Sequence, residues 1–527
     1  MNYFILTILI ALNALTVIQA QDISHNLPTI STQKAAQHLG FLASDSMRGR
    51  NTPSPELEKA AEYIANHYKS LGLLPIQGSY FHNYTLERLH LDTPTVCILE
   101  KNGAQLPLAL KDDFIPFEYS GKQKVHNAAV VFAGYGITAS EYSYDDYASI
   151  DVKGKIVVIL RGEPQSNNEK SIFDGKKNTK YSRMTSKIRL AAQKGAIGMI
   201  IINDPLTTLR LKPIGFPWPS LYPNIPADAL PLSRKRPGAP DFPIIHVGEK
   251  VAEYLFGSVD SLKSLINPIE TSLIPASKDL SATVNSLYVT LTTEKVPVRN
   301  VMSMLPAEEK TDEYVVIGAH YDHIGTGKPS KPGEDSIYNG ADDNASGTTG
   351  VLLAAESFVN AKQKPKRNIV FLNFSGEEKG LLGSKAFVDN PPLPIQKCVA
   401  MLNMDMIGRN VGSSLFIGGN TRCKELINLN EEENERLFGQ EKFALEYTIE
   451  NFFYRSDQAS FALKKIPVIF YFTGEHEDYH KVGDEIEKIN LEKLVKITTL
   501  CIHTAQKTAN LEGRLPFTSM PGDELQE

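Results

Sequence analysis

The feature that most constrains this chain is a repeated arrangement in which an apolar, β-type run ends on a metal-ligating or acidic side chain. Val315-Val316-Ile317-Gly318-Ala319 delivers His320, with Asp322 two residues on. Ile369-Val370-Phe371-Leu372-Asn373-Phe374 leads into Ser375-Gly376-Glu377-Glu378, and Met401-Leu402-Asn403-Met404 leads into Asp405. A polar, glycine-rich turn over 339–347 carries Asp342-Asp343-Asn344, and the later segment 478–484 carries His480. Short continuous apolar runs bounded by turn residues suit strands buried on both faces. In open α/β sheets ligands bind outside the carboxyl ends of such strands. The recurrence of His, Asp and Glu at those ends predicts a metal site.

The surrounding pattern predicts the same class of fold. From residue 284 onward strands and helices alternate, with strands over 287–292, 298–305, 315–319, 369–374 and 468–472 and helices over 347–360, 380–387, 422–438 and 491–509. That is a doubly wound α/β pattern with a mostly parallel sheet. At 527 residues the chain exceeds what one hydrophobic core organises. Helical spacing returns over 31–74, around a turn-rich loop at 48–53, and 80–117 shifts to short β-type runs. A second unit over 121–277 has strands at 128–137, 152–162 and 195–203 and a helix at 186–194. Proline and aromatic residues crowd 213–243 into a long irregular loop. No cluster of metal-ligand types occurs in this unit, so it reads as an inserted β-rich accessory domain. The expected division is a leader at 1–20, the N-terminal part of the main domain at 21–120, the insert at 121–277 and the catalytic domain at 278–527.

Composition excludes several alternatives. A formal charge of −6 without a basic cluster gives no footing for nucleic acid. The four cysteines, Cys97, Cys398, Cys423 and Cys501, form no CxxC pair, which argues against a cysteine-based zinc site. The apolar run from Tyr3 to Ile18 is short for a membrane span and precedes Ile18-Gln19-Ala20, a small-residue cleavage signal. A secretory leader removed after Ala20 is expected, with the mature protein secreted or periplasmic and not inserted stably in a membrane.

Each acidic or histidine position has an ordinary explanation taken singly. His320 could pack inside a strand end, Asp342-Asp343 could cap the helix beginning near Gly347, and Glu377-Glu378 could open a helix. His480 could lie on the surface. Together they place His, Asp, Glu, Asp and His on one sheet edge, which chance packing does not explain. Asp322 could accept the proton of the His320 ring nitrogen that faces away from a metal. As helix neighbours, Glu377 and Glu378 would project about 100° apart, so one could ligate while the other faces water.

The set His320-Tyr321-Asp322, Gly340 to Gly347, Gly376-Glu377-Glu378, Asn403 to Gly408 and Tyr479-His480 closely resembles the secreted dinuclear zinc aminopeptidases, a family that includes glutamate carboxypeptidase and glutaminyl cyclase. The fold this implies is the zinc-exopeptidase, phosphorylase/hydrolase-like sheet. Ala133-Gly134-Tyr135-Gly136 and Lys153-Gly154-Lys155-Ile156 resemble a protease-associated domain. The resemblance implies that Asp342 bridges two zinc ions and is joined to Asp343 by a cis peptide. His320 and Asp405 would complete one site, Glu378 and His480 the other, and Glu377 would be the general base. An oxyanion-steadying tyrosine in some relatives points to Tyr454, among Phe453, Tyr454 and Arg455.

The residue types agree with that chemistry. Imidazole nitrogen and carboxylate oxygen suit zinc. Three ligating carboxylates against two divalent ions leave a net positive centre able to hold an activated water, and a neighbouring carboxylate can move its proton. The expected activity is removal of N-terminal residues from peptides. A carboxypeptidase or dipeptidase is the alternative, with Arg455 or Arg409 as the cation for a terminal carboxylate. A non-catalytic, receptor-like member would have no use for Glu377 as a base, and glutaminyl cyclase works with a single zinc.

Overall fold

A computed structural model describes residues 27–225, 230–233, 240–329, 331, 333–520 and 523; the leader at 1–20 lies outside them. The chain divides into two compact units, one comprising residues up to Tyr84 and from Pro297 onward, the other Thr85–Val296.

The first unit is built on a mixed, mostly parallel sheet. Strands Val468–Phe472, Cys398–Met404, Tyr314–His320 and Asn368–Phe374 lie side by side and parallel. Residues 301–305 pair antiparallel to the last of these. On the other side Ser414–Gly418 joins antiparallel and Ala444–Glu446 follows parallel to it. The four central strands are buried along their whole length, which explains their unbroken apolar sequences.

Side chains of one strand alternate between two cores. Val315, Ile317 and Ala319 join a core with Leu39, Ile64, Leu352, Leu426 and Leu500. These come from helices Thr32–Leu42, Pro55–Ser70, Gly347–Val359, Lys424–Phe438 and Leu491–Ala509. Tyr314 and Val316 turn instead toward Phe387 and Phe461, from the short helices Leu382–Asp389 and Gln458–Ala462. Helices on both faces make the sheet doubly wound, as the alternation predicts.

The second unit carries its own parallel strands, Val125–Phe132, Ile156–Leu160, Gly198–Ile202 and Ile244–Val247, with Phe114–Pro116 antiparallel at one end. It is wider than 121–277. Residues 98–101 form a hairpin with Ala104–Pro107, and residues 278–287 pair with Val125–Phe132, so backbone hydrogen bonds draw both flanks into this unit. The expected N-terminal part at 21–120 therefore ends near Tyr84. Among the described residues no helix is long and apolar enough to cross a membrane.

Candidate metal centre

The four central strands share one carboxyl edge, and the loops leaving it carry the polar residues. His320 is the last residue of Tyr314–His320 and is buried. Its Nδ1 lies 3.1 Å from the Asp322 carbonyl oxygen, closer than the Asp322 carboxylate at 3.7 Å. That fixes the ring so that Nε2 faces Asp343 Oδ1 and Asp405 Oδ1, each at 3.4 Å. The carboxylate of Asp322 works one step further out: it accepts from the Thr52 hydroxyl at 2.9 Å and from the Glu377 amide at 3.2 Å.

The carboxylate that faces both histidines belongs to Asp343 and not to Asp342. His480 Nε2 lies 3.1 Å from Asp343 Oδ2 and 3.2 Å from Glu378 Oε2. Asp342 points elsewhere: its Oδ1 accepts from the Gly408 amide at 2.6 Å and its Oδ2 lies 3.5 Å from His476 Nε2. The amides of Asp342 and Asp343 both donate to the Asp484 carboxylate at 3.0 Å, which anchors the loop from behind. The cis peptide is Asp343–Asn344, one bond later than the resemblance implies.

Two groups of three donors emerge, His320 with Asp343 and Asp405, and His323 with Asp343 and Glu378. Asp343 belongs to both. His323 was not singled out from sequence, although it follows Asp322 directly; its Nδ1 lies 2.8 Å from Glu378 Oε1. Its ring packs on Gly340, where an added Cβ would sit 2.5 Å from His323 Cγ, so glycine is required by close approach. Glu377 and Glu378 lie on a turn before Leu382–Asp389 and not inside a helix, because the Gly380 and Leu381 amides both donate to the Glu377 carbonyl. Glu377 belongs to neither donor group, and its Oε2 lies 3.9 Å from His320 Nε2.

Supporting contacts were invisible in the motifs. Ser456 Oγ donates to Asp405 Oδ2 at 2.6 Å. Arg50, fully buried, donates to the carbonyls of Tyr321, Asn339 and Gly340 at 2.8–3.0 Å and so pins both ligand-bearing loops. Tyr454 is turned away from the expected role: its hydroxyl accepts from Arg422 at 2.9 Å and donates to Asp523. The tyrosine beside the centre is Tyr479, stacked on His480 with ring centroids 3.9 Å apart.

The electrostatics follow from four buried carboxylates in one place. Burial alone would lower the His320 imidazole, yet Asp405 and Glu377 hold it well above its ordinary range. Burial also opposes charge on His480, which Asp343 and Glu378 nevertheless raise to about 10. Burial pushes the Glu377 and Asp405 carboxyls up, with neighbouring acids adding to it. His320 Nε2, His323 Nε2, Asp405 Oδ1 and His480 Nε2 are buried with no hydrogen-bond partner. Buried polar atoms without partners are rare, and those of His320, Asp405 and His480 lie about the Asp343 carboxylate, with imidazole and carboxylate donors suited to zinc. The residues fit divalent metal.

Comparison with known proteins agrees. Residues 300–505 match the model of peptidase family M28, and residues 123–255 match the PA domain. The M28 match thus falls within the unit that carries the donor groups, and the PA match within Thr85–Val296. A probable zinc metalloprotease of Pyrenophora teres f. teres is 36% identical over 115 residues, 22% of this chain and 24% of that protein. A glutamate carboxypeptidase 2 homolog of Caenorhabditis elegans is 24% identical over 441 residues, 72% of this chain and 52% of that protein. The chain thus spans about half, or less, of the length of these relatives. Among solved structures, an aminopeptidase from Aneurinibacillus sp. strain AM-1 is 21% identical with a TM-score of 0.48, covering 95% of this chain and 98% of that one.

Proposed function

We propose that this chain is a zinc-dependent aminopeptidase that uses two metal ions. The observation that carries the reading is Asp343, whose carboxylate is shared between two donor groups while Glu377 stands outside both. His320, Asp343 and Asp405 would hold one ion; Asp343, Glu378 and His480, with His323 beside them, would hold the other. Zinc, when bound, supplies Lewis acidity to the scissile carbonyl and to water.

The chain's own residues do the rest. Glu377 is oriented through its amide by Asp322 and takes a proton from water, then gives it to the leaving amine nitrogen. Arg50, Asp484 and Ser456 hold the ligand-bearing loops in register. Tyr479, whose ring stacks on His480, would take the role of steadying the reacting carbonyl oxygen in place of Tyr454. A cleft of about 900 Å³ lined by Phe416, Phe452 and Phe472 together with Glu446 and Glu475 would receive a substrate side chain; Phe472 packs in one cluster with Met406, the residue after Asp405.

The carboxypeptidase alternative needs a cation for the terminal carboxylate. Arg409 is already paired with Asp478 at 2.9 Å, and Arg455 with Glu475 at 3.0 Å. Both candidates are neutralised, which favours recognition of the amino end. Export after a leader removed at Ala20 is part of the proposal, and the exported protein should begin at Gln21. The discriminating experiment incubates zinc-loaded protein with free and N-acetylated peptides and reads products by mass spectrometry. Free peptides should be shortened from the amino end while acetylated ones resist. Equal hydrolysis of blocked peptides, from the carboxyl end, would transfer the case to the alternative.

A further inference from the structure

A third group of metal-type donors lies outside the centre described above. His38 from Thr32–Leu42, His67 from Pro55–Ser70 and Glu356 from Gly347–Val359 place one donor atom each within 4.8 Å of one another. His38 Nε2 hydrogen-bonds Glu356 Oε1 at 3.3 Å, and His67 Nε2 lies 3.4 Å from the same oxygen without a hydrogen bond. Zinc binds nitrogen and oxygen at about 2.0–2.2 Å, so the edges of its coordination tetrahedron measure about 3.3–3.5 Å. These spacings match those edges and exceed the usual charge-assisted hydrogen bond of about 2.7–2.9 Å.

The outer faces of the two rings are held as metal-binding imidazoles usually are. His38 Nδ1 shares a 2.7 Å hydrogen bond with the Tyr63 hydroxyl, and Tyr63 is itself stacked on Phe41. His67 hydrogen-bonds the Leu352 backbone, while its Nε2 is buried with no hydrogen-bond partner. Anchoring one ring nitrogen while presenting the other is the arrangement that fixes tautomer and direction for a metal. The rings stand edge to face with centroids 4.6 Å apart, which leaves both Nε2 atoms converging on Glu356. Lys34 pairs with the other oxygen, Oε2, and leaves Oε1 to the histidines.

We infer that His38, His67 and Glu356 form a third, structural zinc site that clamps helices Thr32–Leu42 and Pro55–Ser70 to helix Gly347–Val359. Two imidazoles and one carboxylate are a zinc-type donor set, with a water as the fourth ligand. The helix it clamps begins directly after the Asp343 loop, so an ion here would stiffen the support of the catalytic centre without touching substrate.

The test counts ions. Protein saturated with zinc and then desalted is measured by elemental analysis, as parent, His67→Gln, Glu356→Gln, Asp343→Asn and the Asp343→Asn/His67→Gln double variant. Each of the first two variants should hold one ion fewer than the parent with arylamide turnover retained, and should show a smaller rise in melting temperature on adding zinc. Asp343→Asn, which empties the catalytic centre, should keep one ion, and the double variant should keep none. Cobalt(II) in the Asp343→Asn protein should show the intense visible bands of tetrahedral coordination, absent in the double variant. Equal ion content in parent, His67→Gln and Glu356→Gln, or no ion in Asp343→Asn, would overturn the inference. An Asp343→Asn protein that kept every ion would count instead against the catalytic reading, because the His67→Gln loss would still stand.

Discussion

The two units of this protein are built on parallel strands of the same kind and use their loops in opposite ways. In Thr85–Val296 the buried Lys187 ammonium donates to the carbonyls of Tyr135 at 2.7 Å, Leu160 at 3.0 Å and Gly162. Asp146 beside it accepts from the Tyr135 and Ile137 amides and the Tyr144 hydroxyl. Burial lowers Lys187 to about 7 and raises Asp146 to about 7, yet every contact is supplied by the chain itself. In the unit that carries the candidate metal centre most groups at the carboxyl edge are also buried, but several of their ring nitrogens and carboxylate oxygens have no partner. A polar cluster that satisfies itself holds a fold together, while one left unsatisfied requires a ligand. Among the described residues, every group of three metal-type donors lies in the unit formed by residues up to Tyr84 and from Pro297 onward.

The sharpest break in this comparison is Asp343→Asn. It removes the carboxylate shared by both donor groups, so both catalytic ions and essentially all turnover should be lost, as read by elemental analysis and arylamide hydrolysis. Next comes Glu377→Gln, which should keep both ions and inhibitor binding yet lower turnover by about 10²–10⁴-fold. Glu378→Gln should instead weaken zinc, with activity partly restored by excess metal. Asp342→Ala tests the outer layer: removing the acceptor for the Gly408 amide should cost about 10–100-fold in activity or metal affinity. On the other side, Lys187→Met strands three carbonyls and should destabilise the insert by about 1–3 kcal/mol, seen in thermal unfolding, with metal content unchanged. The smallest effect belongs to Tyr454→Phe, which should leave turnover intact, whereas Tyr479→Phe should lower it.

Much of this was legible because of what buried strands demand. Runs such as Ile369 to Phe374 have no polar face, so they fit only a sheet covered on both sides, and the loops that follow them fall at one edge. His320, Glu378, Asp405 and His480 were therefore placed near one another by order alone. The glutamate pair was misjudged locally, since acidic residues before an apolar run read equally well as a turn or a helix start. The unit Thr85–Val296 extends beyond 121–277 because residues 85–101 and 278–296 are β-type in sequence and their allegiance is decided by which strands they pair with.

The sequence by itself determined the order of the site motifs along the chain, the residue types at the strand ends and hence the metal chemistry. These depend on local composition and on unbroken apolar runs that fit only strands buried on both faces. Only the tertiary structure decided that Asp343 and not Asp342 faces the centre, because adjacent residues in a turn diverge and the distant Asp484 and Gly408 select which way each points. The same holds for Tyr454, claimed by Arg422 and Asp523, and for His323, drawn to Glu378. It holds most of all for His38, His67 and Glu356, which no motif connects. Their convergence exists only because three helices pack on one core, and packing of remote segments leaves no periodic mark in the chain.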